Sequence, residues 1–180
     1  MQRRRGRLIA AGTAGIAALV AGSTWAATAG AEPDDPAPDS GASAVAQVRV
    51  LGTEAAQEAA QAAYDECSEQ GHRVTVSVVG RDGALLALVR NEAAGPASID
   101  SATGKAYASV SFRSPSGNLG QGALTNPGLL QMPGFVTLRG GLPISSDGEV
   151  IGGIGVGGAP GGDLDEACAQ VGIDRIAGHL

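Results

Sequence analysis

Residues 73–90 read RVTVSVVGRDGALLALVR, and this stretch decides the fold. From Arg73 to Val79, β-branched residues alternate with others, the two-residue period of a strand. Arg81-Asp82-Gly83 is a tight turn, and Ala84 to Arg90 is an apolar returning run. Two strands joined by so short a turn make an antiparallel hairpin.

On the N-terminal side, residues 53–64 are Ala-rich with acids near the start. They predict a helix capped by Thr53 and ended at Gly71. On the C-terminal side, 91–97 is a loop holding Gly95-Pro96, and Ser98 starts a second helix over 99–112. Ser114-Pro115-Ser116-Gly117 breaks it. Residues 119–130 read as irregular or short helix, split by Asn126-Pro127-Gly128. Short strands are expected at 135–138 and 142–144, around Arg139-Gly140-Gly141. Ser146-Asp147-Gly148-Glu149 is a second tight turn, followed by a strand over 150–156 in which small and branched residues alternate. After a loop at 157–162, Asp163 caps a last helix running to about Ile176. Hairpins without βαβ alternation argue for an α+β sandwich with an antiparallel sheet. There is no internal repeat.

The chain has 180 residues, enough for one domain. Its charge is unevenly spread. Twelve Lys and Arg oppose 18 Asp and Glu, but Arg3, Arg4, Arg5 and Arg7 lie at the very start and every acid lies at or beyond Glu32. Beyond that start, eight basic residues face the 18 acids, a net charge of −10. Such a body repels polyphosphate, which argues against nucleic-acid and anionic-membrane binding.

Residues 1–7 form a basic segment, 8–22 an uncharged apolar one, and Ala26-Ala27-Thr28-Ala29-Gly30-Ala31 a small-residue stretch. This is the plan of a secretory signal peptide over 1–31, with cleavage expected after Ala31 or Ala29. The apolar run falls short of the ~20 residues of a spanning helix, although a retained anchor is the competing reading. Arg4-Arg5 leaves twin-arginine export open beside the general secretory route. Residues 32–44 are rich in Pro, Asp, Ser and Gly and read as a disordered linker. The folded domain spans 45–180, and the protein is expected outside the cell.

Cys67 and Cys168 are the only cysteines. In an oxidising compartment an even pair suggests a disulfide, and the alternative is two separate buried thiols. A bridge would close about 100 residues, for which chain entropy allows roughly 4.7 kcal/mol.

Familiar catalytic constellations are missing. HExxH, GxSxG and SxxK do not occur, and His72 and His179 are the only histidines. Gly153, Gly155 and Gly158 have GxGxxG spacing, but they lie within a strand that follows a hairpin, whereas a dinucleotide loop opens a helix. Those glycines instead let a helix, a ligand or another subunit approach the backbone. Thr103-Gly104-Lys105 sits mid-helix and lacks the upstream glycine of a phosphate loop.

Asp65, Glu66, Glu69 and His72 are spaced so that carboxylates and an imidazole share one helix face. They could bind a divalent or ferric ion, or form a solvated acidic helix end. For porphyrin iron, the stock of protein ligands is His72, His179, Tyr64, Tyr107 and Met132. Tyr107 stands near Lys105, an ammonium able to meet a propionate. Composition and spacing alone do not reveal a haem protein.

Six segments taken in order, 76–90, 91–100, 105–112, 139–144, 148–158 and 161–165, resemble the GlcG/HbpS-like family, also called DUF336. The resemblance covers roughly 45–176. It implies a three-layer α/β sandwich whose central antiparallel sheet is flanked by helices. It further implies homo-oligomeric assembly as an octamer, haem binding and surface iron binding. The implied partner is a membrane sensor kinase of a two-component system, with redox sensing as the outcome. The acid-x-x-acid iron pattern falls on Glu66 and Glu69, beside Asp65 and His72. A threonine is implicated in haem binding in this family; in that region this chain has Ser109, Ser111 and Ser116, and no Thr between Lys105 and Leu124. Where other members place a histidine, it has Glu92-Ala93-Ala94. The haem-binding candidates are therefore Tyr107, Lys105, Ser109, Ser116 and His72. No residue pattern argues for haem degradation. The competing reading is a module of the GlcG type that binds or converts a carboxylate metabolite, with Gly140-Gly141 and the Gly-rich strand lining its pocket.

Overall fold

The structure, a computed structural model, describes residues 45–180. The expected signal segment 1–31 and linker 32–44 lie outside the described residues. In chain order the elements are α1 (Thr53–Glu69), β1 (Thr75–Gly80), β2 (Leu85–Arg90), α2 (Ala97–Phe112), α3 (Ser116–Ala123), β3 (Gly141–Ser146), β4 (Glu149–Gly157) and α4 (Gly162–Ile176). A 3-10 turn at Pro127–Gln131 follows α3, and another at Ala177–His179 follows α4.

The four strands form one antiparallel sheet in the order β2-β1-β4-β3. The first hairpin pairs Thr75 with Arg90 and Val76 with Val89, and its turn closes through a Gly80 N–H to Ala84 O bond of 2.8 Å. Helices α1 and α4 cover one face and α2 covers the other, giving the three layers. In β1 and β4 alternate residues separate cleanly by face. Val76, Val78, Ile154 and Val156 join Ala56, Ala60 and Ala63 of α1 in the main core. On the opposite face, a Cβ placed on Gly155 would overlap Ala102 O and stand 2.6 Å from Ala106 N. The glycine stripe of β4 is thus filled by the backbone of α2, which settles which partner approaches it. Gly141 meets Lys105 O in the same way, so this glycine lines no pocket.

Cys67 of α1 and Cys168 of α4 are bonded, with Cα atoms 5.7 Å apart, and both are fully buried. The bridge ties together the two helices of one layer.

Several local expectations change. Residues 135–138 form no strand. Val136 N–H instead bonds Gly104 O at 3.2 Å, and Phe135 packs on Tyr107 and Phe112, so the segment lies over α2 rather than beside the sheet. Thr53 is the first helical residue after Gly52, which is the N-cap, and no side chain caps α1. Gly161 takes the N-cap of α4, leaving Asp163 in the first turn near the positive end of the dipole. Helix α2 begins at Ala97, one residue before Ser98, whose hydroxyl bonds Gly95 O and faces Thr75 Oγ1 at 2.7 Å.

Candidate functional site

The connection from β4 to α4, Gly158-Ala159-Pro160-Gly161, turns across the end of the sheet beside α2. Gly158 has φ +125°, and a Cβ there would stand 2.6 Å from Arg73 O, so only glycine takes this position. Ser101 and Lys105, four residues apart, present one face of α2 to the loop. Leu138 and Arg139 close the cleft from the segment that leads into β3. The cleft is open to solvent and has a volume of about 640 Å³, within the range of small-molecule sites.

A buried ion pair forms the floor. Lys105 Nζ donates to Asp165 Oδ2 at 2.6 Å and to Val156 O at 2.8 Å, and the two side chains are only 3% and 4% exposed. Asp165 Oδ1 accepts the Ala159 N–H at 3.1 Å. Burial pushes the Asp165 carboxyl up from its usual range; the hydrogen bond and charge of Lys105, then the Ala159 N–H and the charge of His72, pull the other way. The folded protein therefore holds this proton to higher pH than the unfolded chain does. Its contribution favours folding below the ordinary carboxylate range and is lost as pH rises through the raised value. At the rim, Arg139 Nη2 bonds Glu166 Oε1 at 2.7 Å; that bond and the Glu166 charge hold the guanidinium above its usual value. The Ser101 hydroxyl makes no hydrogen bond among the described residues.

The sequence candidates scatter around this geometry. Lys105 is at the cleft, but its ammonium is committed to Asp165 and Val156 and is not free for a propionate. Tyr107, two residues on and about 200° around the helix, lies on the other flank. Its ring packs 5.2 Å from Phe135 and against Gly83. Ser109 is fully buried and bonds Ala106 O at 2.8 Å. The Ser116 hydroxyl donates to Leu138 O and accepts the Gly141 N–H at 2.9 Å, holding the chain that enters β3. Both serines are structural. His72 follows α1, half-buried, and acts on Asp165 through its charge without lining the cleft.

At the end of α1, Asp65 accepts from Gln61 at 2.7 Å and Glu66 from Gln70 at 2.6 Å, while Glu69 is exposed. Among the described residues no three His, Cys, Asp or Glu side chains converge as a metal cluster. His179 lines a separate groove with Arg49 and Leu180, and Met132 is exposed just after the 3-10 turn at Pro127–Gln131.

Ser101, Arg139 and Asp165 were missed from sequence. The i, i+4 spacing of Ser101 and Lys105 was the available signal, but a serine early in a helix reads as a capping residue.

A porphyrin needs a slot with apolar walls, a cation for its propionates and a donor for its iron. Leu138, Ala159 and Pro160 supply apolar surface, Arg139 a rim cation, and Ser101 an uncommitted hydroxyl. The lining holds no His, Tyr, Cys or Met. The cleft thus fits the ring and its carboxylates, and the protein donor it can offer iron is an oxygen.

A protein-family model described as "Haem degrading protein HbpS-like" matches residues 51–174. A crystal structure of a double glutamate-to-aspartate mutant of Streptomyces reticuli HbpS is 42% identical, with TM-score 0.71, covering 72% of this chain and 89% of that one. A Klebsiella pneumoniae protein, ORFY of DUF336, is 27% identical with TM-score 0.71, covering 75% and 96%. A PduOC:heme complex is 25% identical with TM-score 0.66, covering 71% and 96%. None of the curated proteins matches the chain.

Proposed function

The chain belongs to the HbpS-like family, and from that premise we propose that it is an exported haem-binding accessory protein whose porphyrin occupies the cleft between α2 and the Gly158–Gly161 loop. The observation that carries the reading is the cleft itself, an open cleft of about 640 Å³ with Leu138, Ala159 and Pro160 as its apolar surface and Arg139 at its rim, in a fold shared with a haem complex. Haem supplies the redox-active iron. Leu138, Ala159 and Pro160 would pack on the ring, Arg139 would meet a propionate in place of Glu166, and Ser101 Oγ would face the iron side.

Three further parts of the proposal rest on separate support. Export rests on the basic, apolar and small-residue order of 1–31. Weak surface iron binding rests on the carboxylates of Glu66 and Glu69, three apart at the end of α1. Self-association and docking to a membrane sensor kinase rest on exposed apolar side chains such as Leu85, Leu88 and Phe112.

A hemin titration followed in the Soret region tests the central claim. A saturable shift with fixed stoichiometry is expected, and Arg139→Gln should weaken it about three- to tenfold, the loss of an exposed charge-assisted bond. A flat or unsaturable response refutes the reading.

A further inference from the structure

One carboxylate ties together the walls of the cleft. Asp165 sits in the first turn of α4, its Oδ2 accepts from Lys105 of α2, and its Oδ1 accepts from Ala159 in the loop. Lys105 extends the chain of bonds to Val156 O on β4. We propose that Asp165 is a positioning residue that latches the Gly158–Pro160 wall to α2 and thereby sets how long a bound porphyrin stays in the cleft, an inference that rests on the haem reading above.

Two features carry it. From Gly158 to Pro160, the Ala159 N–H bond to Asp165 is the loop's only hydrogen bond among the described residues, since Pro160 has no N–H to offer. The second feature is the ion pair beneath the loop. A buried pair adds little stability over apolar side chains of the same volume, because desolvation offsets the attraction. Its distinctive contribution is a fixed, charged acceptor for the Ala159 N–H, a stronger bond than a neutral acceptor gives. The groups facing Asp165 are Lys105 from α2, the Ala159 N–H from the loop and, at longer range, His72 from the turn after α1.

The test compares two double variants with the wild-type protein. Lys105→Met/Asp165→Leu removes both charges together, so no lone buried charge is left, and it deletes the acceptor. Lys105→Met/Asp165→Asn removes the charges but keeps an oxygen for Ala159. Hydrogen exchange at Ala159 and the loop amides reads the latch without ligand; hemin transfer to an acceptor protein reads residence time. The Leu variant should melt near the wild type, yet show loop exchange and hemin dissociation about tenfold faster, the loss of one charge-assisted bond. The Asn variant, which keeps only a neutral acceptor, should fall between the Leu variant and the wild type in both. Should the Leu variant fail to fold, Ala159→Pro deletes the donor while sparing the ion pair, and the same faster hemin release is expected. Unchanged exchange and release in a folded Leu or Pro variant overturns the latch, as does an Asn variant as fast as the Leu one. If exchange responds as stated but no form binds hemin, the latch stands and the haem reading fails.

Discussion

The two faces of the central sheet are built from opposite materials. Toward α1 and α4, the strands present Val76, Val78, Ile144, Ile154 and Val156, all fully buried, and the Cys67–Cys168 bond joins the covering helices. Toward α2, they present Thr75, Ser77, Val79 and the glycines of β4, so that the helix sits directly on strand backbone along the glycine stripe, with only a small apolar cluster of Val79, Ala106 and Val110 beside it. The first face stores apolar burial, about 25 cal/mol for each Å² removed from water. The second fixes a distance. It seats α2 so close to the sheet that Lys105 reaches Val156 O and Asp165, and the cleft opens at that edge. Stability and site geometry are therefore assigned to different sides of one sheet.

Mutations on the two faces should separate accordingly. The largest effect belongs to the close-contact face. Gly155→Ala would drive a methyl into Ala102 O, backbone that cannot swing aside, and should cost about 3 kcal/mol or more. Denaturant unfolding measures it, and a near-neutral result would break the comparison by showing that α2 can lift without penalty. Next comes the disulfide. Cys67→Ala/Cys168→Ala should lower the unfolding free energy by about 2–5 kcal/mol while leaving hemin affinity within about twofold, because the bridge lies in the layer remote from the cleft. A large loss of hemin binding in a still-folded variant would show that the faces are coupled. The smallest effect sharpens the contrast within α2 itself. Tyr107→Phe should leave the hemin spectrum unchanged, since its ring packs on Phe135 on the flank away from Lys105. A changed spectrum would move the porphyrin to the aromatic flank.

How far the sequence could be read follows the range of the interactions. The 73–90 hairpin, the small-and-branched alternation of 150–156 and the Ala-rich start of α1 are patterns of neighbouring residues, and each appears as an element close to its expected bounds. The expected strand at 135–138 failed because its apolar residues answer to Gly104 and Tyr107 on α2, which no local period records. The haem candidates suffered from the same limit. Tyr107 is a candidate by residue type, and Ser109 and Ser116 by their place in the region of the family's threonine, but helix phase carries Tyr107 to the far flank, while Ser109 and Ser116 spend their hydroxyls on backbone carbonyls.

By itself, then, the sequence determined most of the helices and strands, their order, the α+β class with an antiparallel sheet and the acidity of the body, because periodicity, turn residues and charge act over a few positions, while the three layers came from the family resemblance. Only the tertiary structure decided which residues share the cleft. Lys105 and Asp165 are 60 positions apart, and they meet because glycines under α2 let the helix descend to the sheet and a Gly-Ala-Pro-Gly loop folds back over its edge. An ion pair buried at that depth persists only where both charges and the remaining donors find partners, a condition the assembled layers meet and no local stretch of chain can state.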